Sequence, residues 1–138
     1  MKDFKGGLLT LGFVALRQTS SLLRDLTSQK EPEGKCAVTG CSIQVLLEAA
    51  HITPYAGAWH TRAQHGLLLK TDIHTLFDRG LLWIDTELKI RISEHLAGTE
   101  YVELDGRYLR LPKDKQNWPL ITHLINHRQY WTENRNDV

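Results

Sequence analysis

A chain of 138 residues, 41% apolar and 24% charged, is long enough for one packed domain and too rich in apolar side chains for a disordered segment. No apolar run reaches the roughly 18 residues of a membrane-spanning helix, and no small-residue cleavage site follows Leu8–Leu16, so neither a membrane span nor a signal peptide is expected. A formal net charge of +1 excludes a protein that holds nucleic acid by overall electrostatic attraction.

The charges are also spread evenly. Residues 1–35 carry six Lys/Arg against four Asp/Glu, residues 36–85 three against four, and residues 86–138 eight of each. Affinity for DNA comes mainly from neutralised phosphates. If this chain acts on DNA, a few placed cations hold it or a partner delivers it. The two cysteines, Cys36 and Cys41, suit a cytoplasmic setting with reduced thiols.

In chain order, Leu9, Phe13, Leu16, Leu23 and Leu26 recur mostly at helical steps and predict a helix over residues 8–27. A polar loop, Gln29–Lys35, follows, and then a tight turn around Gly40 between the cysteines. Leu46–Ile52 reads as a strand, although Leu-Leu-Glu-Ala-Ala by itself favours helix, and Pro54 ends it. Tyr55–Gln64 is a loop, with His60 as a loop residue, and Gly66–Leu69 is a second short strand.

Thr71 is expected to cap a helix whose first turn holds Asp72, whose apolar face is Ile73, Leu76 and Phe77, and whose stop is Gly80. Leu81–Ile84 and Leu88–Ile92 should pair across a turn at Asp85–Glu87. Tyr101–Leu104 and Tyr108–Leu111 should form another hairpin around Asp105-Gly106. Pro119 suits the first turn of a last helix running to about Trp131. The tail from Asn134 is expected to fray.

Chemistry concentrates between Glu48 and Asp78. His74 and Asp78 lie four apart on one helical face, beside the apolar face that docks on the sheet. An imidazole and a carboxylate so placed can bind a divalent cation. His51, at the end of an apolar strand, is positioned to take a proton from water. His123 and His127 also lie four apart, without the intervening glutamate of the zincin arrangement, and ordinary packing roles are favoured there.

Three segments together resemble the HNH endonucleases: Cys36-Ala-Val-Thr-Gly; Leu46-Leu-Glu-Ala-Ala-His51-Ile-x-Pro54; and Gly66-Leu-Leu-Leu-x-x-Asp72-Ile-His74-Thr-Leu-Phe-Asp78-x-Gly80. The likeness is closest to the subgroup with Ala-Ala-His-Ile and His-x-Leu-Phe-Asp signatures. It covers residues 36–92 and extends loosely to Tyr101–Pro112 and Leu124–His127; residues 1–30 have no counterpart. The resemblance implies an α+β fold with a ββα-metal (HNH, or His-Me finger) core at about residues 45–80. That core would lie in a nuclease domain over 36–138, with C-terminal hairpins and a helix, preceded by an N-terminal helical arm over 1–35.

Residue by residue, the resemblance implies that His51 is the general base and that His74 and Asp78 hold one metal ion. Magnesium or manganese is expected, with zinc or nickel as alternatives. The family's central asparagine falls nine residues before the metal histidine, where this chain has His65, which would orient the base or join the metal shell. Ala50 stands where many HNH enzymes carry a metal-ligating Asp or His, which leaves two protein ligands. The second cysteine pair of many relatives is missing, so Cys36 and Cys41 are candidate structural residues; a zinc site completed by two histidines, His60 among them, is the minor reading.

DNA is the implied substrate. Arg62, Lys70 and Arg79 flank the site as candidate contacts, Arg107, Arg110, Lys113 and Lys115 form a denser basic stretch, and Trp59 could stack on a base or sugar. The near-neutral charge suggests work inside a larger assembly, such as a restriction or anti-phage complex. The rival reading is a catalytically inactive HNH-like module that binds DNA or docks a protein.

Overall fold

The computed structural model describes residues 34–52 and 63–134. The helix expected over 8–27, the tail beyond Asn134, and Trp59, His60 and Arg62 lie outside the described residues. Described are β1 (Leu47–His51), β2 (Gly66–Lys70), α1 (Thr71–Asp78), β3 (Leu82–Ile84), β4 (Ile90–Ile92) and α2 (Ile121–Asn134), in a mixed α+β arrangement. Short 3₁₀ turns at Gln44–Leu46, Ala63–His65, Glu94–Leu96, Glu100–Leu104 and Lys115–Asn117 connect them.

β1 and β2 form an antiparallel pair whose register runs from Leu47 opposite Lys70 to His51 opposite Gly66. The segment Leu-Glu-Ala-Ala-His favours helix locally, but the ladder to the apolar run of β2 overrides that weak preference. Leu67, Leu68 and Leu69 are all buried, so β2 is covered on both faces. The Cys36–Cys41 turn closes with Cys36 N–H donating to Cys41 O at 2.8 Å and Gly40 N–H to Cys36 O at 2.9 Å. Ala37 N–H then donates to Leu68 O, which ties the turn to β2.

The chain passes from β2 into α1 without a loop. Lys70, still extended at φ −65° and ψ 149°, is the cap, and Thr71 is already helical. Thr71 is therefore not the N-cap expected from its residue type, because the strand occupies the position before it. Ile73 and Phe77 are fully buried, one turn apart, and Leu76 packs on the same core. Burying each large side chain contributes about 1.5–3 kcal/mol. Gly80, at φ +72°, ends α1 as expected. Leu81 N–H donates to Leu76 O and Gly80 N–H to Phe77 O, the paired bonds of a Schellman stop.

β3 and β4 pair as expected, with Leu82 opposite Ile92. The turn places Leu88 at φ +64° and is held by Asp85 Oδ1, which accepts from the Glu87 and Lys89 backbones. The hairpin expected at Tyr101–Leu111 is absent from its predicted place. Glu100–Leu104 is a 3₁₀ turn capped by the Thr99 side chain, and residues 106–109 run along β4 instead. Ile90 N–H donates to Arg107 O, and Lys89 bridges Tyr108.

The last helix starts at Ile121, two residues beyond Pro119, because Leu120 N–H donates to Gln64 O and Leu120 O accepts the first helical bonds. Leu124 and His127 face the core from α2.

Candidate metal and catalytic site

α1 brings His74 and Asp78 together as their spacing predicts: Nε2 lies 3.0 Å from Asp78 Oδ2. β1 adds a residue that the sequence reading left without a role. Glu48 Oε1 lies 2.7 Å from His74 Nδ1, so the imidazole is held between two carboxylates, one on each ring nitrogen. The glutamate's place in the strand follows from the register, which sets Glu48 opposite Leu69, just before α1 begins. Glu48 is exposed, so its residue type alone gives no reason to expect a partner, and only the strand register brings it to His74.

Burial of the His74 ring opposes its charge. The hydrogen bonds to Asp78 and Glu48, with the negative charge of both, outweigh that opposition and raise the pKa from 6.5 to about 9. In this geometry both nitrogens carry protons. A metal on Nε2 would replace one of them and leave Nδ1–H donating to Glu48, the usual carboxylate–histidine support of a ligated imidazole.

The donor pair suits a small divalent ion. Nε2 and Oδ2, 3.0 Å apart, match two adjacent corners of an octahedron with ligands at about 2.1 Å. Among the described residues, no three His, Cys, Asp or Glu side chains form a group that could hold a metal by themselves. The pair would therefore depend on water or phosphate oxygens for the remaining positions, as magnesium sites commonly do.

His51 is half-buried at the end of the β1–β2 ladder, opposite Gly66. The next residue, Ile52, donates its N–H to His65 O at 3.1 Å. His65 is buried, and its ring lies 5.0 Å from that of His123 on α2, tilted by 31°. The structure thus joins His65 to the end of the strand that carries His51 and also to α2, a contact that the sequence reading did not anticipate. His127 does not pair with His123 as a metal ligand. Its Nε2–H donates to Phe77 O at 2.8 Å, and its ring stacks on Phe77 at 3.8 Å.

The candidate cations are placed less uniformly. Lys70 Nζ is 3.8 Å from Asp72 Oδ2, and Asp72 also accepts from Tyr101 Oη at 2.6 Å. Arg79 is exposed just after α1. Cys36 is fully buried, and its Sγ accepts the Thr39 and Lys70 backbone N–H groups at 3.3 Å each; Cys41 is a half-buried free thiol.

The described fold is similar to that of a modification dependent TagI restriction endonuclease, with a TM-score of 0.62 and 22% identity. The likeness covers 84% of this chain and 39% of that one, so the chain spans well under half of the relative's length. At that identity the likeness is one of fold. No curated protein matches the sequence significantly. Residues 36–85, which run from the cysteine turn through β1, β2 and α1 to the end of β3, match the sequence profile described as HNH endonuclease. In this segment, which contains Glu48, His51, His65, His74 and Asp78, the chain is similar to the HNH endonucleases.

Proposed function

We propose that the chain hydrolyses DNA phosphodiester bonds at a single-metal site of the ββα-metal type, with His74 and Asp78 as protein ligands and His51 as general base. One observation carries the reading. The imidazole and carboxylate of α1 stand at ligand-pair separation, inside the segment that matches the family. Family members generally use a divalent metal, and magnesium or manganese suits a pair completed by water. When bound, the ion would supply positive charge to a phosphate oxygen and to the leaving sugar oxygen.

The chain's own residues supply the remainder. His51 takes the proton from the attacking water as its oxygen bonds to phosphorus and the bond to the sugar oxygen breaks; solvent protonates that oxygen. Glu48 fixes the His74 tautomer through Nδ1–H. His65 orients the end of the strand that carries His51. Lys70, Arg79 and Arg62 are proposed to contact the DNA backbone, and the cysteine turn to act as a structural staple without metal. Residues 36–138 would be the nuclease domain and 1–35 an accessory arm. DNA delivery would fall to a larger protein assembly of restriction or anti-phage type in the cytoplasm.

The test is plasmid cleavage with a panel of divalent ions, using His51→Ala as control. Cleavage should require a metal and disappear in His51→Ala while metal binding and folding persist. Full activity of a verified His51→Ala preparation would refute the assignment.

A further inference from the structure

Among the described residues, a ring contact joins the C-terminal helix to the residue that leads into β2. α2 carries His123 and His127 one turn apart on its inward side, and they grip different elements. His127 holds the end of α1 through Phe77, whereas His123 lies against His65, 5.0 Å between ring centroids and inclined by 31°. The approach of α2 is fixed just ahead of that contact by Leu120 N–H donating to Gln64 O at 3.0 Å. His65 in turn accepts from Ile52 N–H and precedes Gly66, the ladder partner of His51. A continuous path therefore runs from α2 through two rings and one backbone bond to the strand end that holds the candidate base. An imidazole in a buried position samples alternative χ angles unless a neighbour blocks them. For His65, the ring of His123 is such a neighbour.

We propose that His123 is a positioning residue: its ring holds the His65 ring in one orientation, and through His65 it fixes the hairpin end that carries His51. The proposal rests on the nuclease reading for its effect on rate, but its geometric content does not depend on that reading. His123 touches no reacting atom in this reading; its effect on the rate runs through its contact with His65.

Single, double and conservative variants of the full chain test it. His123→Ala should lower kcat for plasmid cleavage about 10-fold or more with little change in KM, as misplacement of a catalytic group does. His123→Phe, which keeps a ring at that place, should restore most of the rate. In a His65→Ala background, removing His123 should cost no further rate, although both changes still lower Tm. A purely structural residue would instead lower Tm and rate additively and gain nothing from phenylalanine.

The imidazole NMR signals of His65 provide an arm independent of cleavage. They should shift or broaden in His123→Ala and stay near wild type in His123→Phe. Unchanged His65 signals in His123→Ala, or additive losses of kcat, would overturn the proposal. A wild-type protein that cleaves no plasmid with any divalent ion would overturn the nuclease reading, and the NMR arm would then decide the ring contact by itself.

Discussion

Glu48 and His74 are joined by a 2.7 Å contact between Oε1 and Nδ1 that crosses from the first strand to the first helix. In the proposed site it would set which edge of the imidazole a metal can reach. Glu48→Gln keeps the size of the side chain and removes the charge. Loss of such a support typically costs about 10- to 100-fold in metal affinity or activity. Calorimetric titration with manganese should show this weakening while circular dichroism stays unchanged. Equal affinity in wild type and variant would mean that Glu48 gives no support to the ligand.

Gly80 is the position in α1's stop that tolerates substitution least. Its φ of +72° disfavours any side chain, and a Cβ there would come 2.5 Å from Trp131 Cγ and 2.6 Å from Trp131 Cβ. Those atoms are close to the α2 backbone and cannot swing aside. The backbone conformation and the overpacking together predict a loss of roughly 2–4 kcal/mol for Gly80→Ala. Urea unfolding should show a lower midpoint with an unchanged slope. A midpoint within error of wild type would show that α2 can be displaced cheaply at Trp131.

His127 predicts how stability responds to acid. Burial lowers its pKa below 6.5; the bond to Phe77 O and the charge of Asp78 oppose that only in part, and Arg128 adds to it. The folded state therefore binds fewer protons here than the unfolded state, so stability rises with pH across this range. The contribution of His127 is present above 6.5 and declines as pH falls below that value toward the lowered folded pKa. His127→Gln retains a donor for Phe77 O but does not titrate. The stability difference between wild type and His127→Gln should shrink on acidification from pH 7 to 5. A difference constant over that range would show that His127 titrates normally.

Tyr101 reaches Asp72 at the start of α1 with a 2.6 Å bond, and that bond is the main reason its pKa is raised to about 12. Tyr101→Phe should cost about 1–2 kcal/mol, as expected for a half-buried hydrogen bond to a carboxylate. Thermal unfolding checks this, and Asp72→Asn should cost less, since an amide oxygen can still accept. A larger loss in Asp72→Asn would identify the Lys70 ion pair as the stronger constraint on Asp72.

The part of the site carried by one helix was legible in the sequence. His74 and Asp78 needed only a four-residue step, and the apolar face of Ile73, Leu76 and Phe77 oriented that helix. Gly80 was legible because few residues other than glycine occupy such a stop. What depended on pairing between distant segments was not legible. The local preference of Leu-Glu-Ala-Ala gave no hint that Glu48 would reach His74, since that requires the β1–β2 register. The placing of Tyr101–Leu104 in a hairpin failed for a related reason. Asp105-Gly106 does turn the chain, but the Thr99 cap and the reach of Tyr101 to Asp72 favour a 3₁₀ turn, and residues 106–109 find β4 as their partner. His123 and His127 share a helical face, as their spacing indicated, yet spacing could not say that the two rings serve different neighbours.

Cys36 gives the molecule a chemical clock. Its sulfur is sealed under two backbone donors, one of them Lys70, where β2 turns directly into α1, whereas Cys41 is only half-buried. A thiol reagent in excess should modify Cys41 early and Cys36 only at the pace at which this junction opens. Because the junction supports His74 and Asp78, the slow phase of labelling reads the lifetime of the candidate site, with no engineered cysteine needed.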